Sequence, residues 1–187
     1  MARTPSNMLP LGTIAPEFQL LNVVSGQWVS LSALKSDVAT LIMFICNHCP
    51  YVKHVQAELV NLAQTYQPQG VAVIAISSND AVNYPEDSPE KMREVAQAWH
   101  YPFPYLYDEN QEVAKNYQAA CTPDFYLFDN ALKCVYRGQL DDSRPQNDIA
   151  VTGKDLRAAV DALLAGQPVH PEQKPSLGCN IKWKVES

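Results

Sequence analysis

Leu41-Ile-Met-Phe-Ile-Cys46-Asn-His48-Cys49-Pro50-Tyr-Val-Lys-His54 decides how this chain is read. The apolar run that ends here starts at Val38 and has the length of one strand. A run with no polar alternation suits a strand covered on both faces, as in a parallel or mixed sheet between helices. At Asn47 the period changes. Val52, Val55, Leu59, Leu62 and Tyr66 are spaced to lie along one stripe of a helix, and Gln67-Pro68-Gln69-Gly70 ends it. Pro50 sits early in that helix, where its missing N–H costs least. A strand therefore delivers Cys46 and Cys49 onto a helix N-terminus. The N–H groups and dipole there favour an anion, and the thiolate is the reactive form of cysteine. His48, between the two, adds a second source of positive charge. In such a pair the first sulfur is expected to be exposed, with a pKa anywhere from roughly 3.5 to 7.5. Its neighbour can close the ring and release a mixed disulfide.

The chain on either side reads as alternating strands and helices. Gly12 to Leu31 looks like an entry hairpin, with Phe18, Leu20 and Asn22 alternating against Gln19, Leu21 and Val23, and a turn at Ser25-Gly26. Ser32 to Leu34 has room for one helical turn. Val71 to Ile76 is a second buried strand, and Ser77 to Asp87 a polar loop. Ser88-Pro89 is an N-cap followed by proline at the first helical position. Met92, Val95 and Trp99 share one face of that helix. Tyr105 to Tyr107 is a short strand, and Asp108 caps a helix carrying Val113 and Tyr117. Asp129-Asn130 turns Pro123–Phe128 back into Lys133–Arg137 as an antiparallel hairpin. A last helix opens at Thr152-Gly-Lys-Asp155 and closes at Gly166. The order after the hairpin is β-α-β-α-β-α-β-β-α. It predicts the α/β class, one domain over 1–187 with a mixed central sheet flanked by helices, and a tail from about 167 to 187 packed on or beside it.

Composition narrows the function. The 187 residues suffice for one sizeable core, and 47% hydrophobic with 18% charged residues is a globular balance. A formal net charge of -6 argues against a nucleic-acid or anionic-membrane partner. The longest apolar run is too short to span a bilayer. Met1 to Pro10 lacks the basic start and apolar stretch of a signal peptide, so a cytoplasmic location is expected. The five cysteines are an odd number in a chain too long for a disulfide-stapled mini-domain. In a reducing compartment such cysteines are catalytic, metal-binding or buried.

A zinc site would need two ligands beyond Cys46 and Cys49. His48, His54 and Cys121 are candidates, but no second Cys-x-x-Cys and no His-x-x-x-His occurs. The βαβ context favours redox chemistry, with no metal expected. Cys121-Thr122-Pro123 places a proline at a strand start, where an unpaired N–H is tolerated. Cys121 is either a third redox thiol or a small packing residue, and Cys134 reads as core. Cys179, in the tail, is either an extra resolving cysteine or packed under Trp183. Lys53, His54, His100, His170 and Arg137 suit surface or capping roles.

Together these residues resemble the thioredoxin superfamily, in which a strand, Cys-x-x-Cys and helix are followed by a Thr-Pro or similar dipeptide before a hairpin. The closer likeness is to the redoxin branch, the alkyl hydroperoxide reductase/thiol-specific antioxidant type. It rests on Gly12-Thr-Ile-Ala15-Pro16-Glu-Phe18, Val29-Ser-Leu31, Thr122-Pro123-x-x-Tyr126-Leu-Phe-Asp129 and Tyr136-Arg-Gly138. Asp141-Asp-Ser-Arg144-Pro, Val151-Thr-Gly-Lys-Asp155-Leu and Gly178-Cys-Asn-Ile-Lys-Trp183 resemble one thioredoxin-like subgroup of that branch. The resemblance implies a thioredoxin fold, Cys46 as nucleophile with His48 beside it, and Cys49 as resolving thiol. It also implies Pro123 as a cis proline facing them, Thr122 on the substrate side, and a Cys46–Cys49 redox disulfide in place of any cofactor. The implied partners are protein or low-molecular-weight thiols and disulfides, and a thioredoxin-type reductant. The pattern departs from the peroxiredoxin Pro-x-x-x-Thr-x-x-Cys. Counting back from Cys49, the Thr and Pro positions hold Cys46 and Ile42; counting back from Cys46, they hold Met43 and Ala39. Ile45 stands where thioredoxins have tryptophan. The leading expectation is thus thiol–disulfide exchange, with peroxide reduction second and copper or zinc carriage third.

Overall fold

The computed structural model describes residues 3–185. Met1, Ala2, Glu186 and Ser187, the extreme ends of the expected domain and tail, lie outside the described residues. In chain order the elements are β1 (Arg3–Pro5), β2 (Gln19–Asn22), β3 (Trp28–Ser30), α1 (Leu31–Leu34), β4 (Ala39–Phe44), α2 (Pro50–Tyr66), β5 (Val71–Ser77), α3 (Pro89–Ala98), β6 (Tyr105–Tyr107), α4 (Glu112–Asn116), β7 (Cys121–Thr122), β8 (Asp124–Phe128), β9 (Cys134–Gly138), α5 (Lys154–Leu164) and β10 (Leu177–Asn180). Seven strands form one mixed sheet in the order β3-β2-β6-β5-β4-β8-β9. This is a thioredoxin fold, its central sheet flanked by helices as the resemblance implied. Among the described residues, no helix is long and apolar enough to cross a membrane.

β4 is the axis of the sheet, parallel to β5 on one side and antiparallel to β8 on the other. Its six residues are all buried. Leu41, Met43 and Ile45 pack with Leu59, Met92, Leu156 and Val160 of α2, α3 and α5. Ile42 and Phe44 turn to the opposite face, against Leu31, Val113 and Tyr117. Each fully buried aliphatic or aromatic side chain contributes about 1.5–3 kcal/mol. With both faces covered, no position on β4 favours a polar side chain, which is why the run is continuous. Val52, Val55, Leu59, Leu62 and Tyr66 all face inward on α2. Cys49, in extended conformation, is the N-cap of that helix, and Pro50 is its first residue.

One reading needs correction. Trp99 does not join the buried face of α3; it is 43% exposed and Ala96 is buried instead. The helix ends at Ala98, and Trp99 at the C-cap has φ −95° and ψ 0°, which carries its side chain off the stripe. The C-terminal tail packs on the domain through a strand of its own. β10 is the central strand of a second, three-stranded sheet in the order β1-β10-β7. Arg3 faces Cys179 across one ladder, and Thr122 faces Cys179 across the other. Gly178 passes so close to the Thr122 carbonyl oxygen that a Cβ would have no room. β1 and β7 have three and two residues, too few for any alternation to show in the sequence.

Candidate active site

The strand-to-helix junction places Cys46 just past β4 and Cys49 at the head of α2, as the sequence required. The Thr122–Pro123 peptide bond is cis. It connects β7 to β8, the antiparallel neighbour of β4, so Thr122 lies against the cysteines. The Thr122 Oγ1 is 3.4 Å from Cys46 Sγ, and the Thr122 carbonyl oxygen is 3.4 Å from Cys49 Sγ.

The disulfide in the structure is Cys49–Cys179, not the Cys46–Cys49 bond that the resemblance implied. Cys46 is a free thiol. The reason is the second sheet. β10 lies antiparallel to β7 and sets Cys179 opposite Thr122, with its Cα 6.2 Å from that of Cys49. That separation is within the ordinary range for a disulfide. Of the other cysteines, Cys121 is fully buried and its Sγ–H donates to Pro123 O at 3.8 Å. Burial, then the charge of Asp124, pushes its thiol well up. Cys134 is buried at the start of β9, as expected of a core residue, and burial pushes its thiol up to about 11.

Cys46 is not the exposed, acidic thiol expected at a helix N-terminus. It is 2% exposed. Burial, then the negative charge of Asp87, pushes its pKa up to about 12. The Thr122 hydroxyl and the N–H groups of Cys49 and His48 pull the other way without prevailing. The resting Cys46 is therefore a neutral thiol.

Asp87 is the residue that sequence reading missed. It is fully buried, accepting hydrogen bonds from Asn47 N at 2.7 Å and Asn79 Nδ2 at 2.8 Å, and its Oδ2 lies 2.5 Å from His48 Nδ1. Burial pushes its carboxyl up, but the bonds from His48, Asn79 and Asn47 outweigh that, and it sits below the ordinary value. Tyr84 stacks on the His48 ring, with centroids 5.8 Å apart and planes 6° apart. Tyr105 OH donates to Asn47 Oδ1 at 2.9 Å and braces the same turn. A signal for Asp87 did exist. Its loop leaves the C-terminal end of β5, beside the end of β4, and loops at the C-terminal ends of neighbouring parallel strands meet in one crevice.

One ligand atom each from Cys46, His48 and Asp87 lies within 4.8 Å of the others. The His48 Nδ1–Asp87 Oδ2 approach is a close ion-pair contact, shorter than two donors sharing one metal ion with bonds of about 2.0–2.2 Å adopt. The group is built to hold an imidazole beside a thiol. His54 and Cys121, the other candidate ligands, are not part of it. His54 Nε2 is instead 2.7 Å from Ser143 Oγ.

The tail also brings a cation. Lys182 is 7% exposed, its Nζ donates to Asn180 O at 2.7 Å and Asn180 Oδ1 at 3.0 Å, and it lies 5.8 Å from the centre of the Tyr84 ring. Burial pushes its ammonium down, opposed by the nearby Cys46 and Asp87.

Residues 11–137 match the model of the AhpC/TSA family. No curated protein matches the chain. Among solved structures, an uncharacterized conserved protein from Geobacillus kaustophilus is 66% identical, with a TM-score of 0.98, over 100% of this chain and 99% of that one. A hypothetical protein from Sinorhizobium meliloti 1021 is 49% identical, with a TM-score of 0.95, over 98% of this chain and 100% of that one. The peroxidoxin BcpB from Mycobacterium tuberculosis shares the fold at 17% identity, with a TM-score of 0.61, over 83% of this chain and 96% of that one.

Proposed function

Since the chain belongs to the AhpC/TSA family, we propose that it is a thiol–disulfide oxidoreductase whose attacking thiol is Cys46 and whose resolving sulfur is Cys49. The observation that carries this reading is the convergence of both sulfurs on Thr122, beside Pro123, with His48 held by Asp87 next to Cys46. In the reduced protein, Cys46 gives its proton to the His48 ring, and the Cys46 thiolate attacks one sulfur of a substrate disulfide. That S–S bond breaks, the departing thiolate takes up a proton, and a mixed disulfide remains on Cys46. Cys49, as thiolate, attacks the Cys46 sulfur, forms Cys46–Cys49 and releases the second substrate thiol. Asp87 keeps the imidazole aimed and steadies its positive charge.

The test is reduction of hydroxyethyl disulfide by the dithiothreitol-regenerated protein. Cys46→Ser is expected to lower the rate by roughly two orders of magnitude or more. An unchanged rate refutes the assignment. A second reading, reduction of a hydroperoxide, is favoured by the burial of Cys46, which suits a very small oxidant. Dithiothreitol-driven consumption of hydrogen peroxide tests it, and a rate constant no better than that of free cysteine dismisses it.

A further inference from the structure

We propose that Cys179 is a third redox thiol of this centre and that Cys49 is a pivot sulfur, exchanging its bond between Cys46 and Cys179. The proposal rests on the reading of Cys46 and Cys49 as the exchanging pair. Three observations carry it.

First, the bond present in the structure is Cys49–Cys179, while Cys46, three residues before Cys49, is free. Second, one residue meets all three cysteines. Thr122 offers its hydroxyl to Cys46, its carbonyl oxygen to Cys49, and its ladder position to Cys179. Third, the chain on both sides of Cys179 is held by hydrogen bonds in addition to the disulfide. Ile181, 1% exposed, donates its N–H to Ala120 O at 3.0 Å. Lys182 N donates to Asn79 Oδ1 at 2.9 Å, and Lys182 O accepts from Asp80 N at 2.9 Å and Gln111 Nε2 at 2.8 Å. Ser176 N donates to Ser6 Oγ at 2.8 Å on the other side. Reduction is therefore expected to leave the Cys179 sulfur beside Cys49 rather than to release the tail.

The exchange balances within the protein. A Cys46 thiolate attacks the Cys49 sulfur of Cys49–Cys179. The Cys46–Cys49 bond forms, the Cys49–Cys179 bond breaks, and Cys179 leaves as a thiolate that takes up the proton Cys46 gave away. No electron enters or leaves. In the opposite direction, Cys179 attacks the Cys49 sulfur of Cys46–Cys49 after turnover. Cys46 returns to the thiol, and the oxidising equivalents rest on the tail. The structure is the end state of that second direction.

The experiment reoxidises the fully reduced protein with diamide, quenches it with acid at successive times, blocks free thiols with N-ethylmaleimide and maps disulfides by mass spectrometry. In the wild-type protein Cys46–Cys49 is expected first, replaced by Cys49–Cys179. In Cys179→Ser the reaction is expected to stop at Cys46–Cys49. Direct passage of the wild-type protein to Cys49–Cys179, with no Cys46–Cys49 at any time, overturns the relay and leaves Cys179 as a staple. So does a folded Cys179→Ser protein that forms no Cys46–Cys49. The wild-type time course needs no variant, so a folding defect in Cys179→Ser cannot decide the matter. Retention of hydroxyethyl disulfide reduction by Cys46→Ser is a separate failure, of the proposed function itself.

Discussion

Opening the Cys49–Cys179 bond is expected to lower stability by an amount set by the loop it closes. The two cysteines are 130 residues apart in the chain. The chain-entropy relation assigns such a loop about 17 cal/mol/K, or about 5 kcal/mol at 25 °C, as an upper figure. For a protein of this size each kcal/mol moves the melting temperature by about 2–4 °C. Scanning calorimetry should therefore show the oxidised protein melting about 10–20 °C above the fully reduced one. Cys179→Ala in reductant should melt with the reduced protein. If the relay holds, oxidised Cys179→Ala carries Cys46–Cys49 instead, a loop so short that the same relation yields only about 2 kcal/mol. Its transition then lies between the other two. With the tail held by its own hydrogen bonds, the comparison is expected to isolate the covalent link. Oxidised and reduced wild-type protein melting within about 2 °C of each other, with the bond verified by mass spectrometry, would refute the loop-closure reasoning.

Three further outcomes follow from the site and its surroundings. Asp87→Asn removes the charge that, after burial, raises the Cys46 pKa, so the pH profile of Cys46 alkylation should move to lower pH. Disulfide reduction should nevertheless fall roughly tenfold or more, because His48 loses its carboxylate partner; a profile that stays put or moves up contradicts this. Gly178→Ala forces a Cβ into the Thr122 carbonyl oxygen and should cost about 1–3 kcal/mol or more in urea unfolding, with a lower yield of Cys49–Cys179 on reoxidation. Asp124 is fully buried, and burial pushes its carboxyl up to about 7 despite hydrogen bonds from Ser6, Tyr126 and Phe125 N–H. The folded state then holds a proton that the unfolded chain has lost, so stability should fall as pH rises from about 4 to about 7 and level off above that, a loss on the order of 4 kcal/mol at most. Asp124→Asn should flatten that slope, and an unchanged slope in denaturant titrations across pH would assign it to other groups.

The fold was legible because its elements are long and locally consistent. β4 announces itself by a run that only a doubly covered strand needs, and α2 by five apolar residues on one stripe. The site was legible only where it is contiguous. Cys46, His48 and Cys49 share one turn, and Thr122-Pro123 carries its own backbone signature. Asp87 was hidden because it is brought to His48 from 39 residues away, by a loop whose polarity is that of any surface loop. The pairing of Cys179 was hidden because it depends on a register between two very short strands, β7 and β10, and on one glycine that lets them approach. The reactive state of Cys46 was misjudged for a third reason. A helix N-terminus favours a thiolate, but that benefit competes with burial and with a carboxylate that only the tertiary structure supplies.

That competition bears on what can react with this centre. A thiol pushed this far up is overwhelmingly protonated at pH 7. Spontaneous ionisation therefore contributes little to attack, and on the proposed function the nearby His48–Asp87 pair takes the proton. Access imposes a second limit. Cys46, Cys49 and Cys179 are 2%, 0% and 3% exposed. β10, which carries Cys179, and the residues after it are fixed by two ladders and by Asn79, Asp80 and Gln111 as well as by the disulfide. A large protein partner would need a wider opening to reach a buried sulfur than a small disulfide or hydroperoxide would. On the proposed function, the closed centre suits a low-molecular-weight oxidant at Cys46, and on the proposed relay the Cys49–Cys179 bond holds the oxidising equivalents afterwards.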